Sequence, residues 1–286
     1  MKLQLHLGEK IMIKNWHISG DTHGSLSRFD VLDAYEPETA AIIILGDVSF
    51  NYTNGAQDFY LKKKANTHQN YIYCVRGNHE MRPEDVSTME EIWDENVCNS
   101  IYYEPAFPYI RYFKDGNLYL IDGFTTLVIG GAYSVDKHYR IAMNRRWFPN
   151  EQLTAEEMEK FYTIHKNTKV DFILSHTCPL SWQPTDLFLE GLDQSTVDNS
   201  MEIWMDKLKD SLDWNIWLFG HYHRERLVRP HVEMLFTEIQ KIKDIYERWN
   251  NPNIKLSSHW AVDPKFKNLD NKWIKEEENK WNKQLF

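Results

Sequence analysis

Five short segments of this chain each follow a run of apolar residues and carry side chains that bind metal ions. They are Gly20-Asp21-Thr22-His23-Gly24, Gly46-Asp47, Gly77-Asn78-His79-Glu80, Ser175-His176 and Gly220-His221-Tyr222-His223. The apolar runs before them cover residues 16–18, 41–45, 71–75, 170–174 and 216–219. Runs of about 4–8 β-branched, aromatic and aliphatic residues are typical of strands buried on both faces. The sequence therefore predicts an α/β fold that contains these five strands.

The place of the five segments, each directly after a strand, predicts that they meet in space. In open α/β sheets, ligands bind outside the carboxyl ends of the strands, so the segments should lie on the functional edge of one sheet. Their aspartates, asparagine and imidazoles form a mixed oxygen and nitrogen set, which suits Mn²⁺, Fe or Zn²⁺ better than Mg²⁺ or Ca²⁺. Taken singly, each segment is also compatible with helix capping or an ordinary turn. Together they favour a metal site.

In this order, the segments resemble the calcineurin-like metallophosphoesterase superfamily. Its pattern is Asp-x-His, Gly-Asp, Gly-Asn-His-Glu/Asp, a lone His and Gly-His-x-His, and the resemblance covers residues from about 13 to 240. The residues at 20–24 and 76–80 are most similar to the branch that holds phosphoprotein phosphatases and dinucleotide polyphosphate hydrolases. The resemblance implies a four-layer αββα sandwich, in which helices flank two mixed β-sheets and the metal site lies at the C-terminal ends of the strands.

The resemblance also implies ligands for two divalent metal ions. The first ion would be held by Asp21, His23 and His223, and the second by Asn78, His176 and His221. Asp47 would bridge both ions, because one carboxylate can span ions that are roughly 3.5–4 Å apart. Mn²⁺ is the expected metal, with Fe or Zn²⁺ as alternatives. His221 and His223 are two residues apart, so on an extended strand end they should point the same way.

The implied reaction is phosphoester hydrolysis. A water that bridges two metal ions loses its proton near neutral pH and attacks phosphorus in line, which makes Asp47 catalytic through its bridging position. His79 is not expected to bind metal, and it would stabilise the phosphate or protonate the leaving oxygen. The expected substrate is a small phosphorylated molecule or nucleotide. The alternatives are a phosphoprotein (Ser/Thr) phosphatase and a metal-dependent scaffold or binding module, and the retention of His79 argues against the latter.

One stretch departs from the pattern of the phosphoprotein phosphatases. Their second segment reads Gly-Asp-x-Val-Asp-Arg-Gly, in which the later Asp orients the catalytic His and the Arg grips phosphate. In this chain Phe50 and Asn51 occupy those two places. Asn51 is a candidate hydrogen-bond partner of His79, with an ordinary turn residue as the alternative.

A replacement phosphate clamp is expected in residues 130–149, which follow another apolar run. This segment concentrates cations and aromatic rings in an otherwise acidic chain. Guanidinium suits a bidentate grip on phosphate, and aromatic rings suit stacking on a base. Similar Gly-Gly-Ala-x-Ser-x-Asp-Lys segments occur in bacterial members of the superfamily. Arg140 is the first candidate for substrate binding, followed by Arg145 and Lys137, and the alternative is a solvated loop.

The overall charge restricts the class of partner. A net charge of −9 and a pI near 5.7 argue against an extended nucleic-acid surface or an anionic membrane. The three cysteines are scattered, and Cys74 falls in a predicted buried strand, so free thiols in a reducing compartment are expected. Residues 1–14 lack the features of a signal peptide, and no apolar run approaches the ~20 residues that span a bilayer. We therefore expect a cytoplasmic protein.

The chain predicts one large domain at residues 1–240 and a C-terminal extension at residues 241–286. Helices are predicted at 25–35, 57–68, 83–95, 154–167 and 198–212, and hairpin turns at 114–117 and 122–123, where a second sheet is expected. The extension should form an amphipathic helix followed by a polar segment punctuated by tryptophans. We expect it to pack on the core, with a homodimer interface or a substrate lid as alternatives.

Overall fold

The computed structural model describes residues 12–36, 39–68, 70–188, 191 and 193–251 of the chain. Its strands are β1 (Asn15–Ser19), β2 (Ala40–Ile44), β3 (Tyr71–Cys74), β4 (Glu90–Asp94), β5 (Asn99–Tyr103), β6 (Ile110–Tyr112), β7 (Leu118–Ile121), β8 (Phe124–Ile129), β9 (Lys169–Ser175), β10 (Asp213–Phe219), β11 (Arg226–Arg229), β12 (Val232–Met234) and β13 (Gln240–Lys241). Its helices are α1 (Ser27–Tyr35), α2 (Ala56–Ala65), α3 (Lys137–Ala142), α4 (Ala155–His165), α5 (Ser200–Ser211) and α6 (Ile242–Asn250).

The strands form two mixed sheets. The seven-stranded sheet has the order β13-β1-β2-β3-β6-β5-β4, and the six-stranded sheet has the order β11-β12-β10-β9-β8-β7. Strands β1, β2, β3 and β6 are parallel, as are β12, β10, β9 and β8, whereas the outer strands pair antiparallel. The sheet centres are therefore parallel, and this places the carboxyl ends of the motif-bearing strands together.

Three apolar clusters show how the layers stack. The central cluster joins both sheets and includes Ile43 of β2 and Leu218 of β10. On the other face of the seven-stranded sheet, Ile42 packs with residues of α1 and α2. On the outer face of the six-stranded sheet, Ile173 packs with residues of α4 and α5. The neighbours Ile42 and Ile43 face opposite sides, as successive strand residues do, and the expected αββα sandwich is confirmed.

Most predicted helices are present within a few residues. The predicted capping box at the start of α4 is confirmed, because the Thr154 hydroxyl accepts from the Glu157 N–H while the Glu157 carboxylate accepts from the Thr154 N–H. Within the described part of the chain, none of the helices is both long and apolar enough to cross a membrane.

Two local predictions are wrong. Residues 83–95 do not form a helix: a 3₁₀ turn at Pro83–Asp85 is followed by β4, in which Ile92 pairs with Ile101 of β5. Pairing of β-branched residues across the sheet outweighs a weak helical pattern. Residues 114–117 do not make a hairpin, because this turn carries the chain from β6 in one sheet to β7 in the other. The turn at residues 122–123 does join β7 and β8 as a hairpin.

The first helix of the C-terminal extension packs into the core. Ile242 and Ile245 belong to the central apolar cluster. Arg248 donates to both carboxylate oxygens of Glu233 at 2.7 and 2.8 Å, and Glu233 also accepts from the Trp249 indole N–H. Trp260, Trp273 and Trp281 lie outside the described residues. The boundary near residue 240 and the packing of the remaining extension stay predictions.

Arg248→Ala should lower the free energy of unfolding by about 3 kcal/mol, because it leaves the buried Glu233 carboxylate without its cation. Urea denaturation followed by circular dichroism measures this change. Arg226→Ala is the matched control, since the Arg226–Asp186 pair is much more exposed and its loss should cost under about 1 kcal/mol. Equal losses in the two variants would show that the buried pair does not hold α6 in place.

Candidate metal centre and substrate cavity

The carboxyl ends of five strands meet between the two sheets. Strands β1, β2 and β3 lead to Asp21, Asp47 and Asn78, while β9 and β10 lead to His176 and residues 220–223. The His221 N–H donates to Asp21 Oδ1 at 2.9 Å, and His176 Nδ1 lies 2.7 Å from the Leu45 carbonyl oxygen. The site therefore lies where two sheets join, which corrects the expectation that it lies on the edge of one sheet.

One group of ligand atoms comes from Asp21, His23 and His223. The Nε2 atom of His223 lies 2.8 Å from His23 Nε2 and 3.1 Å from Asp21 Oδ2. His23 Nε2 and Asp21 Oδ2 are 3.7 Å apart. Two imidazole nitrogens and a carboxylate oxygen at such separations are the donor set that transition-metal ions prefer in proteins.

A second group adjoins the first. His176 Nε2 lies 2.8 Å from Asn78 Oδ1 and 3.6 Å from Asp47 Oδ2, and ligand atoms of Asp21, Asp47 and His176 all lie within 4.8 Å of one another. The His221 ring is 4.9 Å from the His176 ring between centroids. The structure thus brings the seven expected ligands together, while their division between two ions stays a prediction.

The Gly130-to-Asp136 stretch sets the orientation of the Asn78 amide. Asn78 Nδ2 donates to the Ser134 hydroxyl at 2.8 Å, and that hydroxyl donates in turn to Glu151 Oε2 at 2.5 Å. The amide oxygen of Asn78 therefore faces His176 and the centre. Such supporting hydrogen bonds hold ligand side chains in position around metal ions.

The two histidines of the last segment do not lie on an extended strand. His221 has φ 70° and His223 has φ 52°, both in the left-handed region. Their rings separate: His221 lies beside His176, and His223 lies beside His23 with 4.7 Å between centroids. The expectation of an extended strand end is wrong, because both residues have left-handed φ values after β10 ends, and each ring has a different histidine neighbour.

The electrostatics of the centre fit cations. Burial raises the pKa of Asp21 and Asp47, but neighbouring imidazoles outweigh it and hold both pKa values below their usual range. Burial disfavours charged His176, yet Asp47 and Asp21 raise its pKa to about 9. Burial lowers the pKa of His23 and His221 to about 3. Two ionised carboxylates attract positive charge, and the neutral imidazoles of His23 and His221 offer lone pairs. A divalent cation would take the place of the proton on His176, so the residues present fit divalent metal ions.

Glycines allow the ligands to approach the backbone closely. A Cβ on Gly46 would lie 2.0 Å from His176 Nδ1, and a Cβ on Gly77 would lie 1.9 Å from Asp47 Oδ1. Gly46 also has φ 101°, which favours glycine. The centre therefore requires glycine at both positions, because any larger residue would overlap a ligand side chain.

His79 and Arg140 border the metal centre. His79 Nε2 lies 4.0 Å from Asp47 Oδ2, and Arg140 Nη2 lies 3.4 Å from His79 Nε2. Arg140 is buried and is held by Asp136 Oδ2, which accepts from its Nε at 2.7 Å, and by the Tyr52 hydroxyl, which accepts at 3.2 Å. The structure thus positions a guanidinium beside the proposed catalytic histidine.

The other three expected substrate-binding residues lie elsewhere. Arg145 is exposed, with its guanidinium 5.2 Å from the centroid of the Tyr139 ring, and Lys137 lies 4.3 Å from that of the Trp147 ring. Neither lines the two cavities described below. Asn51 is buried, and its side-chain oxygen accepts from Lys62 Nζ at 3.2 Å. Its side-chain oxygen therefore belongs to an internal network, and no hydrogen bond to His79 is present among the described residues. Asn51 lies in a turn, which was the alternative interpretation.

Two cavities in the described part of the chain open beside the centre, and both are lined by His23, His79 and Arg140. The first, of about 130 Å³, extends along the first turn of α5 and the loop before it. The second, of about 480 Å³, extends over α2. His23, His79 and Arg140 therefore border both cavities beside the candidate metal centre.

Sequence reasoning missed three residues of this region. Asp136 lies four residues before Arg140, and this i,i+4 spacing was an available signal. Tyr52 reaches Arg140 only through the tertiary fold. Glu202 lines the first cavity from α5, and no motif marked it.

A comparison with protein families decides the identity of this arrangement. The protein-family model described as calcineurin-like phosphoesterase matches residues 17–225, and this range includes all seven expected ligands. The chain belongs to the calcineurin-like phosphoesterase family. It is therefore a phosphoester hydrolase, and the divalent metals that the family uses agree with the candidate ligand groups.

Comparisons with individual proteins say less about this chain than the family model does. Among solved structures, this calcineurin-like phosphoesterase is similar to a phosphopantetheinyl hydrolase from Mycobacterium tuberculosis, with 14% sequence identity and a TM-score of 0.42. The match covers 89% of this chain and 100% of that chain. Among curated proteins, none matches this calcineurin-like phosphoesterase significantly.

Gly46→Ala should weaken metal binding in this calcineurin-like phosphoesterase at least tenfold, because the added methyl group displaces His176. Elemental analysis after dialysis against limiting Mn²⁺ measures the retained metal, and circular dichroism checks folding. Gly123→Ala is the control, since Gly123 also has a positive φ of 88° but nothing lies within 4 Å of its added Cβ. If both variants keep the same metal content, the contact with His176 does not constrain the centre.

Proposed function

We propose that this protein is a binuclear-metal hydrolase of small organic phosphoesters, including nucleotides. The observation that carries the proposal is the convergence of seven oxygen and nitrogen ligands into two adjoining groups around two buried carboxylates. Asp21, His23 and His223 would hold one ion and Asn78, His176 and His221 the other, with Asp47 placed to contribute to both. Mn²⁺ fits this donor set, with Fe or Zn²⁺ as alternatives.

When bound, the two ions would supply Lewis-acid activation of water and of the phosphate. The chain's own residues position the substrate around them. The backbone N–H of His79 donates to Asp47 Oδ1 at 2.9 Å, which ties the histidine to the proposed bridging carboxylate. The His79 ring then stabilises the phosphate or protonates the leaving oxygen, and Arg140 neutralises phosphate charge beside it.

The surroundings support a small substrate over a phosphoprotein. The acidic residue and arginine that serve phosphoprotein phosphatases are replaced by Phe50 and Asn51, both buried. Arg140 approaches His79 from α3 instead. The first cavity has walls on several sides, formed by α5, the loop before it and the segment before α3, which suits a compact organic group better than an extended peptide.

Hydrolysis of p-nitrophenyl phosphate and bis-p-nitrophenyl phosphate with Mn²⁺ tests the proposal, followed by a panel of phosphorylated metabolites, nucleotides and phosphopeptides. Turnover of the monoester alone indicates a phosphatase, and turnover of the diester indicates a phosphodiesterase. Preference for phosphopeptides would favour the phosphoprotein phosphatase alternative. If the protein binds two metal equivalents but hydrolyses none of these compounds, the result would contradict the proposal and support the scaffold alternative.

His79→Ala should lower kcat by roughly 10²–10⁴ with normal metal content, because the leaving oxygen loses its proton donor. The deficit should be smaller for p-nitrophenyl phosphate than for phenyl phosphate, since p-nitrophenolate needs little protonation. Steady-state kinetics with elemental analysis provides the measurement, and His138→Ala, at an exposed position, is the control. An equal loss for both esters would point to charge stabilisation, and loss of metal would make His79 a ligand.

Arg140→Ala should lower kcat/KM by roughly 10- to 100-fold, the range expected for losing a hydrogen bond to a charged group. Arg140→Lys should restore only part of this, because an ammonium lacks the planar fork of donors. Arg145→Ala is the matched control, since Arg145 lies on the same segment but outside the cavities. Wild-type kinetics in Arg140→Ala would mean that the metals and His79 alone hold the phosphate.

A further inference from the structure

Glu202, in the first turn of α5, is a buried acid that the proposed chemistry does not use. Its side chain lines the first cavity, although the residue is only 3% exposed. Its Oε1 accepts from the Thr177 hydroxyl at 3.0 Å, whereas its Oε2 has no hydrogen-bond partner among the described residues. A buried carboxylate oxygen without a partner is destabilising, so this atom requires an explanation.

The surroundings of Glu202 have the composition of a ligand pocket. Apolar and aromatic side chains form much of the wall, namely Tyr133, Val135, Leu187, Phe188, Val197 and Tyr222. Two amides add a polar section, in which Gln183 Nε2 donates to Asn199 Oδ1 at 3.1 Å. Apolar walls with a few fixed polar groups are typical of sites that bind and orient small organic molecules.

We propose that this pocket binds the organic part of the substrate and that Glu202 recognises an N–H donor on a flat aromatic or amide-bearing group. The inference rests on the proposed function, because the pocket shares its cavity with His79 and Arg140. An ionised carboxylate accepts hydrogen bonds only, so its partner on the ligand must be a donor. The aromatic wall residues suit a flat group.

A purely structural role for Glu202 makes a different prediction. Through Thr177, Glu202 ties α5 to the end of β9, and loss of that contact would affect every substrate alike. Recognition of an N–H group would instead affect only the substrates that carry one. A site built to hydrogen-bond a donor also discriminates strongly against an analogue that lacks it.

The test uses matched aryl phosphates that differ in one N–H group. The probes are 3- and 4-acetamidophenyl phosphate, their N-methyl derivatives without the N–H, and phenyl phosphate. Burial raises the pKa of Glu202 to about 7, so assays at pH 8 keep most of this carboxyl ionised. Wild type is compared with Glu202→Gln and Glu202→Ala, and Asp210→Asn, at an exposed position near the end of α5, is the charge-matched control.

We expect wild type and Asp210→Asn to prefer at least one N–H ester over its N-methyl partner by ten- to a hundredfold in kcat/KM. In Glu202→Ala this preference should fall to threefold or less at normal metal content, whereas Glu202→Gln, whose amide oxygen still accepts from an N–H, should keep part of it. Asp210→Asn should keep the wild-type turnover of phenyl phosphate. No preference in wild type, or a preference that survives in Glu202→Ala, would overturn the inference while leaving the proposed function standing.

Equilibrium binding separates failure of this inference from failure of the proposed function. Titration calorimetry of the same esters on the Mn²⁺-loaded full chain reports the preference even if no ester is hydrolysed. A preference of tenfold or more that disappears in Glu202→Ala supports the pocket in that case. Equal affinities for the paired esters, or a preference retained in Glu202→Ala, would refute it independently of turnover.

Discussion

Two carboxylates, those of Asp21 and Asp47, lie buried within a few ångströms of each other where the two sheets join. Like charges in such a place repel and lose hydration, so the structure must supply compensating positive charge. His176 responds with a pKa raised to about 9, while burial keeps His23 and His221 neutral and able to donate lone pairs. The strand ends, glycines and cross-sheet hydrogen bonds serve to hold this arrangement.

The backbone of the centre shows what that arrangement costs. His23, Asp47, His221 and His223 all have φ between 45° and 70°, in the region that residues other than glycine seldom adopt. Strained conformations cost of order 1–3 kcal/mol each and persist only where the surrounding structure determines them. The β-strands buried on both faces supply that rigidity. Four of the expected ligands have this strained backbone, which agrees with a functional role for the centre.

The two sides of the centre have different tasks. The ligand side is built from buried strand ends of both sheets, whereas the substrate side is built from α3, the first turn of α5 and the loop before it. Arg140 depends on Asp136 and Tyr52 for its position, and Glu202 is held through Thr177. The expected ligands and these wall residues thus come from different elements of the fold.

The sequence by itself determined the five motif-bearing strands and the candidate ligands, because apolar runs and metal-binding residue types are local signals, while its resemblance to the calcineurin-like family implied the αββα class. It failed at residues 83–95, where pairing of Ile92 with Ile101 opposes the local helical pattern. It also left Asn51 open between a partner of His79 and a turn residue, because no local rule assigns it to a network with Lys62. Only the tertiary structure decided that both sheets contribute ligands and that Tyr52 and Glu202 flank the site. Those contacts join residues far apart in the chain, and their geometry depends on how the layers pack.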